Sequence, residues 1–530
     1  MRDFHMPGRS AAIATGGMAA TSHPMATLTA LEVLRKGGNA VDAAVAAAAM
    51  LAVVEPQMTG IGGDCFVLYA PRGGDKIVSL NGSGRAPAGL TLERVLRDEP
   101  GATEMSLYGP HTVTLPGTVD AWTMLVADHG TKDMAELLKP AIDAAENGYP
   151  VLARVAHDWA TETEKLQKDP NAAAVFMPGG VLPGEGDVHR QPALGATLRR
   201  IAKEGRAGFY EGKTGATMAA YLRSRGATHT AEDFANNRAD YTTPIKTRYR
   251  DVDIYQCPPN TQGMTAIQLI NILSGFKLDG LNPLHPDWLH LQIEAGRLAY
   301  RDRNAFLADP EKANLPVDHL ISMEYADALR AHISRDRAMA VLPEPGRAEP
   351  HTVYLTVVDK DRNAISFINS LFDHFGCGLL CPDTGVMFQN RGALFSLDPE
   401  HPNCVAPNKR PFHTIIPGMA VKDGRTIMPF GVMGGHYQPF GHAMLVTSVF
   451  GFGLDPQAAL DQPRVSHDGT VLEAERGIPE ATVESLRKRG HEVTIPNHPH
   501  GGGQAILIDW ERGTLTGGSD PRKDGCALGY

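Results

Sequence analysis

Apolar residues recur at helical spacing over residues 24–36, where Leu28, Leu31, Val33 and Leu34 share a face, and Gly37-Gly38 end the run. Asn39, with Asp42 three residues on, has the form of an N-cap and opens a second helix that Pro56 closes. That second helix is almost free of charge and rich in alanine, which predicts burial inside a larger body. The pattern then changes. Thr59-Gly60-Ile61-Gly62-Gly63-Asp64 reads as a tight turn into a strand, CFVLYA. A dinucleotide fingerprint needs its glycines after a strand and before a helix, and here the order is reversed. The stretch 115–340 reads mostly as helix with Pro and Gly breaks, and LPGTVDAW at 115–122 as a turn capping one of those helices. Residues 341–350, VLPEPGRAEP, predict an exposed, extended segment.

A hairpin follows directly. Residues 352–358, TVYLTVV, and 364–371, AISFINSL, are β-branched and aromatic, and the five polar residues from Asp359 to Asn363 form the turn. A turn centred on Asp361 pairs Val358 with Ala364 and, at the far end, Thr352 with Ser370. Directly opposed side chains on one face have Cβ atoms about 5 Å apart, so the two hydroxyls fall within hydrogen-bonding reach.

Composition narrows the function classes. The chain has 530 residues, 42% hydrophobic and 21% charged, as soluble globular proteins do. Its net charge of −10, without any run of Lys and Arg, argues against nucleic-acid binding. Arg199-Arg200 with Lys203 reads as a solvated helix face. Of the six cysteines only Cys377 and Cys381 are close, and they are not spaced as zinc ligands; free buried thiols in a reducing compartment are expected. The N-terminal stretch lacks the charged start and apolar core of a secretory signal, and Ala43–Val54 is shorter than the roughly 20 residues a membrane span takes. The expectation is a cytoplasmic protein without membrane contact.

Several segments together resemble the gamma-glutamyltranspeptidase superfamily: GGNAVDAA at 37–44, TGIGGD at 59–64, RAPAG at 85–89, LPGTVDAW at 115–122, TVYLTVVDKDRNAIS at 352–366, KRPFHTIIPGMAVKDG at 409–424 and MGGHYQP at 433–439. The resemblance implies an α+β fold of the N-terminal-nucleophile (Ntn) type, a four-layer αββα sandwich with two stacked antiparallel sheets between helices. It implies a proenzyme that cuts itself between His351 and Thr352, giving a large chain, 1–351, and a small chain, 352–530, intertwined in one globule. Thr352 would be the nucleophile and its freed α-amine the base. Ser370 would hydrogen-bond the nucleophile, and the N–H groups of Gly434 and Gly435 would hold the oxyanion. No cofactor or metal is implied, and the processed protomers are expected to pair as a homodimer of heterodimers. Asp359 and Asn363 read as turn residues.

The substrate positions depart from a true transpeptidase. Where the superfamily binds the amine and carboxylate of a glutamyl group, this chain has Ser83, Phe372, Leu394 and His413-Thr414. An ammonium buried against Leu394 would lack its partner. Arg85 and Arg391 remain as carboxylate anchors, each weighed equally against a structural ion pair. His413, Thr414, Phe372 and His436 are expected around the substrate. The pattern is closest to the oxamate amidohydrolase branch, so the expected reaction is hydrolysis of a small carboxylate-bearing amide. A gamma-glutamyl hydrolase or transferase, a glutaryl-amide acylase and an uncleaved binding protein are the competing readings.

Overall fold

The structure is a computed structural model that describes residues 8–340, 351–467 and 471–530, and the backbone but not the side chain of His351. The extended segment expected at 341–350 lies outside the described residues.

Two seven-stranded sheets form the centre, and every strand pairing within them is antiparallel. One runs in the order Ala12–Ala14, Thr514–Ser519, Gly502–Asp509, Arg425–Met433, Gly418–Lys422, Val252–Gln256, Ile245–Tyr249. The other runs Cys526–Gly529, Met18–Thr21, His351–Val358, Ala364–Phe372, Asp64–Ala70, Val78–Gly82, Asp240–Thr242. Both sheets combine strands from either side of Thr352, so a cut before Thr352 would leave the two pieces interlocked.

The sheets meet face to face at small residues. A Cβ on Gly431 would lie 2.3 Å from the Tyr354 ring, so only glycine lets the layers close there. Ser366 Oγ bridges the layers, donating to Phe430 O at 3.1 Å and accepting from Gly418 N at 3.0 Å. Helices cover the outer faces. Ala40–Val54 is buried along its whole length, as its lack of charge predicts, and opens with the expected Asn39–Asp42 capping box. Asp359, in the hairpin turn, accepts from Ala40 N at 3.0 Å, which ties that turn to the start of this helix. Gly263–Ser274 and Gln438–Val446 pack on the other sheet, and Pro286–Phe306 packs over Gly263–Ser274. Among the described residues no helix is long and apolar enough to cross a membrane. All six cysteines are free, four of them buried and Cys404 and Cys526 partly so.

The helical reading of 115–340 holds for most of that stretch but misses Asp240–Thr242, Ile245–Tyr249 and Val252–Gln256, which finish the edges of the two sheets.

Burial sets the response to acid. His23, His189 and His229 are pushed down to about 4, and His413, His442 and His491 to about 3, each mainly because the folded protein shields the ring from water. In the unfolded chain a histidine protonates near 6.5. Below that pH the unfolded state takes up protons that the folded state refuses, so stability falls as pH drops from about 6.5 toward 4. Glu55, raised to about 7 by burial, works the other way, as do Asp359 and Asp461, which burial also raises, but the six histidines outnumber them. The melting temperature is therefore expected to decline continuously from pH 6.5 to 4.5; a melting curve that does not move over that range would contradict this burial pattern.

Candidate active site

Register and one irregularity place the first two groups. The hairpin pairs as the sequence predicts from Val358 with Ala364 to Val353 with Asn369. Beyond that the ladder slips, and His351 pairs with Phe372, so Ser370 and Leu371 together oppose Thr352. Such a bulge re-aims side chains at the end of a strand. Thr352 Oγ1 still lies 3.2 Å from Ser370 Oγ, and both residues are fully buried. The chain leaves the bulge through Phe372, whose φ of 81° is strained for a residue with a side chain.

Ser370 Oγ is the meeting point of the site. It accepts from Phe372 N at 2.8 Å and from Arg391 Nη2 at 3.0 Å. Arg391 Nη1 donates to Thr414 Oγ1 at 2.8 Å, and the guanidinium lies 4.5 Å from the centre of the Phe372 ring. Arg391 is fully buried and, among the described residues, has no carboxylate within ion-pair distance; its Nε has no hydrogen-bond partner there. Burial pushes this guanidinium down to about 9, partly offset by the charge of Asp64. It stays charged at neutral pH, so the site holds a desolvated cation beside the Thr352 hydroxyl.

Asp64 anchors the floor. Its Oδ1 accepts from Gly84 N at 2.9 Å, Gly117 N at 3.2 Å and Gln389 Nε2 at 2.9 Å, while Oδ2 takes His413 Nε2 at 3.0 Å. The glycines of TGIGGD allow this packing: a Cβ on Gly63 would fall 2.2 Å from Ser370 O. His413, driven down to about 3 by burial and the nearby Arg391 charge, is a neutral spacer held by Asp64 and edge-on to Phe66.

Gly434 and Gly435 follow the strand Arg425–Met433 with φ values of 115° and 52°, two left-handed residues in succession that glycine adopts at little cost. A Cβ on Gly434 would also lie 2.8 Å from Gly501 Cα. Gln262 fastens this turn to the arginine's partner, donating from Nε2 to Gly435 O at 2.8 Å and to Thr414 O at 2.6 Å. A continuous path of contacts thus joins Thr352, Ser370, Arg391, Thr414, Gln262 and Gly435. His436, the next residue, is pushed well below its ordinary value by burial and by the charges of Arg303 and Arg391.

Of the residues expected from the sequence, Thr352, Ser370, Phe372, Arg391, His413, Thr414, Gly434, Gly435 and His436 come together. Arg85 does not. Its guanidinium pairs with Glu311 at 2.9 Å and Asp309 at 3.6 Å, so its charge is already met by carboxylates. Asp64, Gln262, Gln389 and Arg303 were not expected. A signal existed for Arg303: Leu289, Ile293, Gly296, Ala299 and Arg303 follow helical spacing, which sets a cation on the apolar stripe of its helix.

Comparison with known proteins shows the family to which the chain belongs. The gamma-glutamyltranspeptidase family model matches residues 26–530. The chain is 36% identical over 527 residues to the glutathione hydrolase-like YwrD proenzyme of Bacillus subtilis, covering 98% of this chain and 99% of that one. It is 36% identical over 540 residues to the oxamate amidohydrolase proenzyme of Klebsiella pneumoniae, covering 98% and 100%. The crystal structure of cephalosporin acylase from Bacillus halodurans superposes with a TM-score of 0.93 at 39% identity, covering 100% of this chain and 99% of that one. With two seven-stranded antiparallel sheets between helices and a match over nearly its whole length, the chain belongs to the gamma-glutamyltranspeptidase family, as an Ntn amidohydrolase made as a self-processing proenzyme.

Proposed function

We propose that the chain cuts itself between His351 and Thr352 and then hydrolyses a small amide bearing a carboxylate, of the oxamate type. The observation that carries the substrate reading is Arg391: a buried cation, unmatched by any carboxylate within ion-pair distance among the described residues, whose hydrogen bond ends on the same serine oxygen as the Thr352 hydroxyl. An uncompensated buried charge is costly, and a substrate carboxylate would supply the missing partner. Because the cation and the nucleophile meet on one oxygen, carboxylate and scissile amide must be close together in the substrate.

The chemistry proceeds in two stages. In the proenzyme, Thr352 Oγ1 attacks the carbonyl carbon of His351, the peptide nitrogen leaves as the α-amine of Thr352, and water hydrolyses the resulting ester. In the mature enzyme that amine takes the proton from Oγ1 as the hydroxyl attacks the substrate amide, with Gly434 and Gly435 N–H groups holding the oxyanion. The amine product leaves, and water releases the acyl group. Two N–H donors on Ser370 Oγ make its own hydroxyl a better hydrogen donor toward Thr352.

Arg391 also tunes the base. An α-amine has a reference pKa of about 7.7–8.0, and a nearby cation lowers it. The amine works only when neutral, so kcat/KM is lost as pH falls through its pKa. The acid limb is expected to have its midpoint below about 7.7, and to move up when Arg391 is replaced by methionine. A limb that stays in place in that variant would separate Arg391 from the base.

Gamma-glutamyl hydrolysis is the competing reading, and the glutathione hydrolase-like relative keeps it in view. The surroundings disfavour it. Leu394 stands where the family places the ammonium's partner, and Asp64, the carboxylate whose charge reaches Arg391, already takes four N–H donors. Release of ammonia or amine from oxamate, a glutaryl amide and a gamma-glutamyl amide separates the readings. The highest kcat/KM on oxamate supports the proposal; preference for the gamma-glutamyl amide overturns it.

A further inference from the structure

Arg303 sits near the end of the helix Pro286–Phe306, is 3% exposed, and like Arg391 has no carboxylate within ion-pair distance among the described residues. Its Nε and Nη2 donate to Asn304 Oδ1 at 3.0 and 2.8 Å. Its Nη1 donates to Gln262 Oε1 at 3.0 Å and to His436 Nδ1 at 2.9 Å. The guanidinium lies over the rings of Tyr300, at 4.3 Å, and Phe412, at 5.5 Å, which hold it flat.

A guanidinium has hydrogens to give and no lone pair to receive one. Both groups facing Nη1 must therefore accept. For Gln262 this settles which end of the amide is which: oxygen toward Arg303, nitrogen toward the carbonyls of Thr414 and Gly435, with both amide hydrogens used. For His436 it settles the tautomer. Nδ1 carries the lone pair, so the ring hydrogen is on Nε2, and an imidazolium, with a hydrogen on each nitrogen, does not fit. His436 Nε2 is shielded from solvent and has no hydrogen-bond partner among the described residues. It is thus a donor left over, on the residue that directly follows Gly434-Gly435.

We propose that Arg303 is a positioning residue that holds His436 as its Nε2–H tautomer, and that this N–H is a further donor to the acyl part of the substrate beside the Gly434-Gly435 pair. The same Arg303 nitrogen, through Gln262, sets the spacing between that pair and Thr414, the partner of Arg391. The proposal rests on the reading of the site as one for a carboxylate-bearing amide, and it assigns the acyl group contacts at both ends: Arg391 on one side, His436 on the other. Lysine cannot replace Arg303, because its single nitrogen cannot reproduce the planar fork that meets Gln262, His436 and Asn304 together.

The test has one readout that needs no substrate. Nitrogen-15 NMR of histidine-labelled processed enzyme, with the His436 signals assigned by their loss in His436→Gln, is expected to give a neutral ring protonated at Nε2. In kinetics, His436→Phe is expected to lower kcat/KM on the preferred amide by ~10²-fold, the range for loss of one such donor. His436→Gln, which keeps an N–H donor, recovers most of that loss. Arg303→Met loses as much as His436→Phe, and the double variant is no worse than Arg303→Met alone. A His436 ring protonated at Nδ1 in the wild type overturns the proposal, and so do single-variant losses that multiply in the double. If Arg303→Met does not fold, the wild-type tautomer together with the His436→Phe and His436→Gln pair decides. If the carboxylate-amide reading is wrong, the substrate panel fails while the tautomer result still stands or falls alone.

Discussion

Thr352→Ala is expected to remain a single uncut chain and to lose at least about 10⁴-fold in amide hydrolysis, whereas Thr352→Ser keeps both processing and turnover. The reasoning is local. Thr352 is fully buried, and its Oγ1 meets Ser370 Oγ at the bulge that ends the hairpin ladder. Alanine removes that oxygen and the buried γ-methyl, so stability should fall by only about 1–2 kcal/mol, one hydrogen bond plus one methyl group. A melting temperature close to wild type with no cleavage and no turnover identifies the loss as chemical. Cleavage that persists in the alanine variant would mean that another group attacks the chain.

Arg391→Met is expected to produce the opposite split between function and stability from a structural arginine. Truncating a structural ion-paired arginine strands its acid and costs about 3–5 kcal/mol. Arg391 has no such acid within reach among the described residues, only the hydroxyls of Ser370 and Thr414 and the face of Phe372. Removing a desolvated, unpaired charge should leave the melting temperature unchanged or higher, while kcat/KM for a carboxylate-bearing amide falls by roughly 10²–10³-fold, mostly through KM. The same change at Arg85, which pairs with Asp309 and Glu311, should lower stability and leave substrate affinity near wild type. Thermal melts beside steady-state kinetics on both variants check this. An Arg391 variant that melts much earlier with unchanged KM would return that residue to a structural role.

How much of this was legible before the structure depends on the range of the interactions involved. The Asn39–Asp42 cap, the strand after TGIGGD and the hairpin turn are local, and the sequence shows each of them. The pairing rule for the hairpin assumes a regular ladder. It is right from Val358 back to Val353, and it misses the bulge at Thr352 because that arises where the strand meets Phe372 and the turn beneath it. The strand Ile245–Tyr249 alternates half-buried and exposed residues with Lys246 and Arg248 outward, a short period-2 signal easily lost in a helical stretch. Arg85 and Arg391 look alike in sequence. What separates them is acids at 309 and 311, brought to one and not the other by the fold. Gln262 carries no motif, and only its tertiary contacts reveal it, whereas Arg303 shows in the sequence only as a cation on the apolar stripe of its helix.

The central claim is that the chain makes its own N-terminal nucleophile. It is tested most directly by intact mass and N-terminal sequencing of freshly purified protein. The account predicts two fragments that stay associated under native conditions, residues 1–351 and 352–530, the smaller beginning Thr-Val-Tyr-Leu. A single 530-residue chain that remains uncut on long incubation, or a small fragment that begins anywhere other than Thr352, would contradict it.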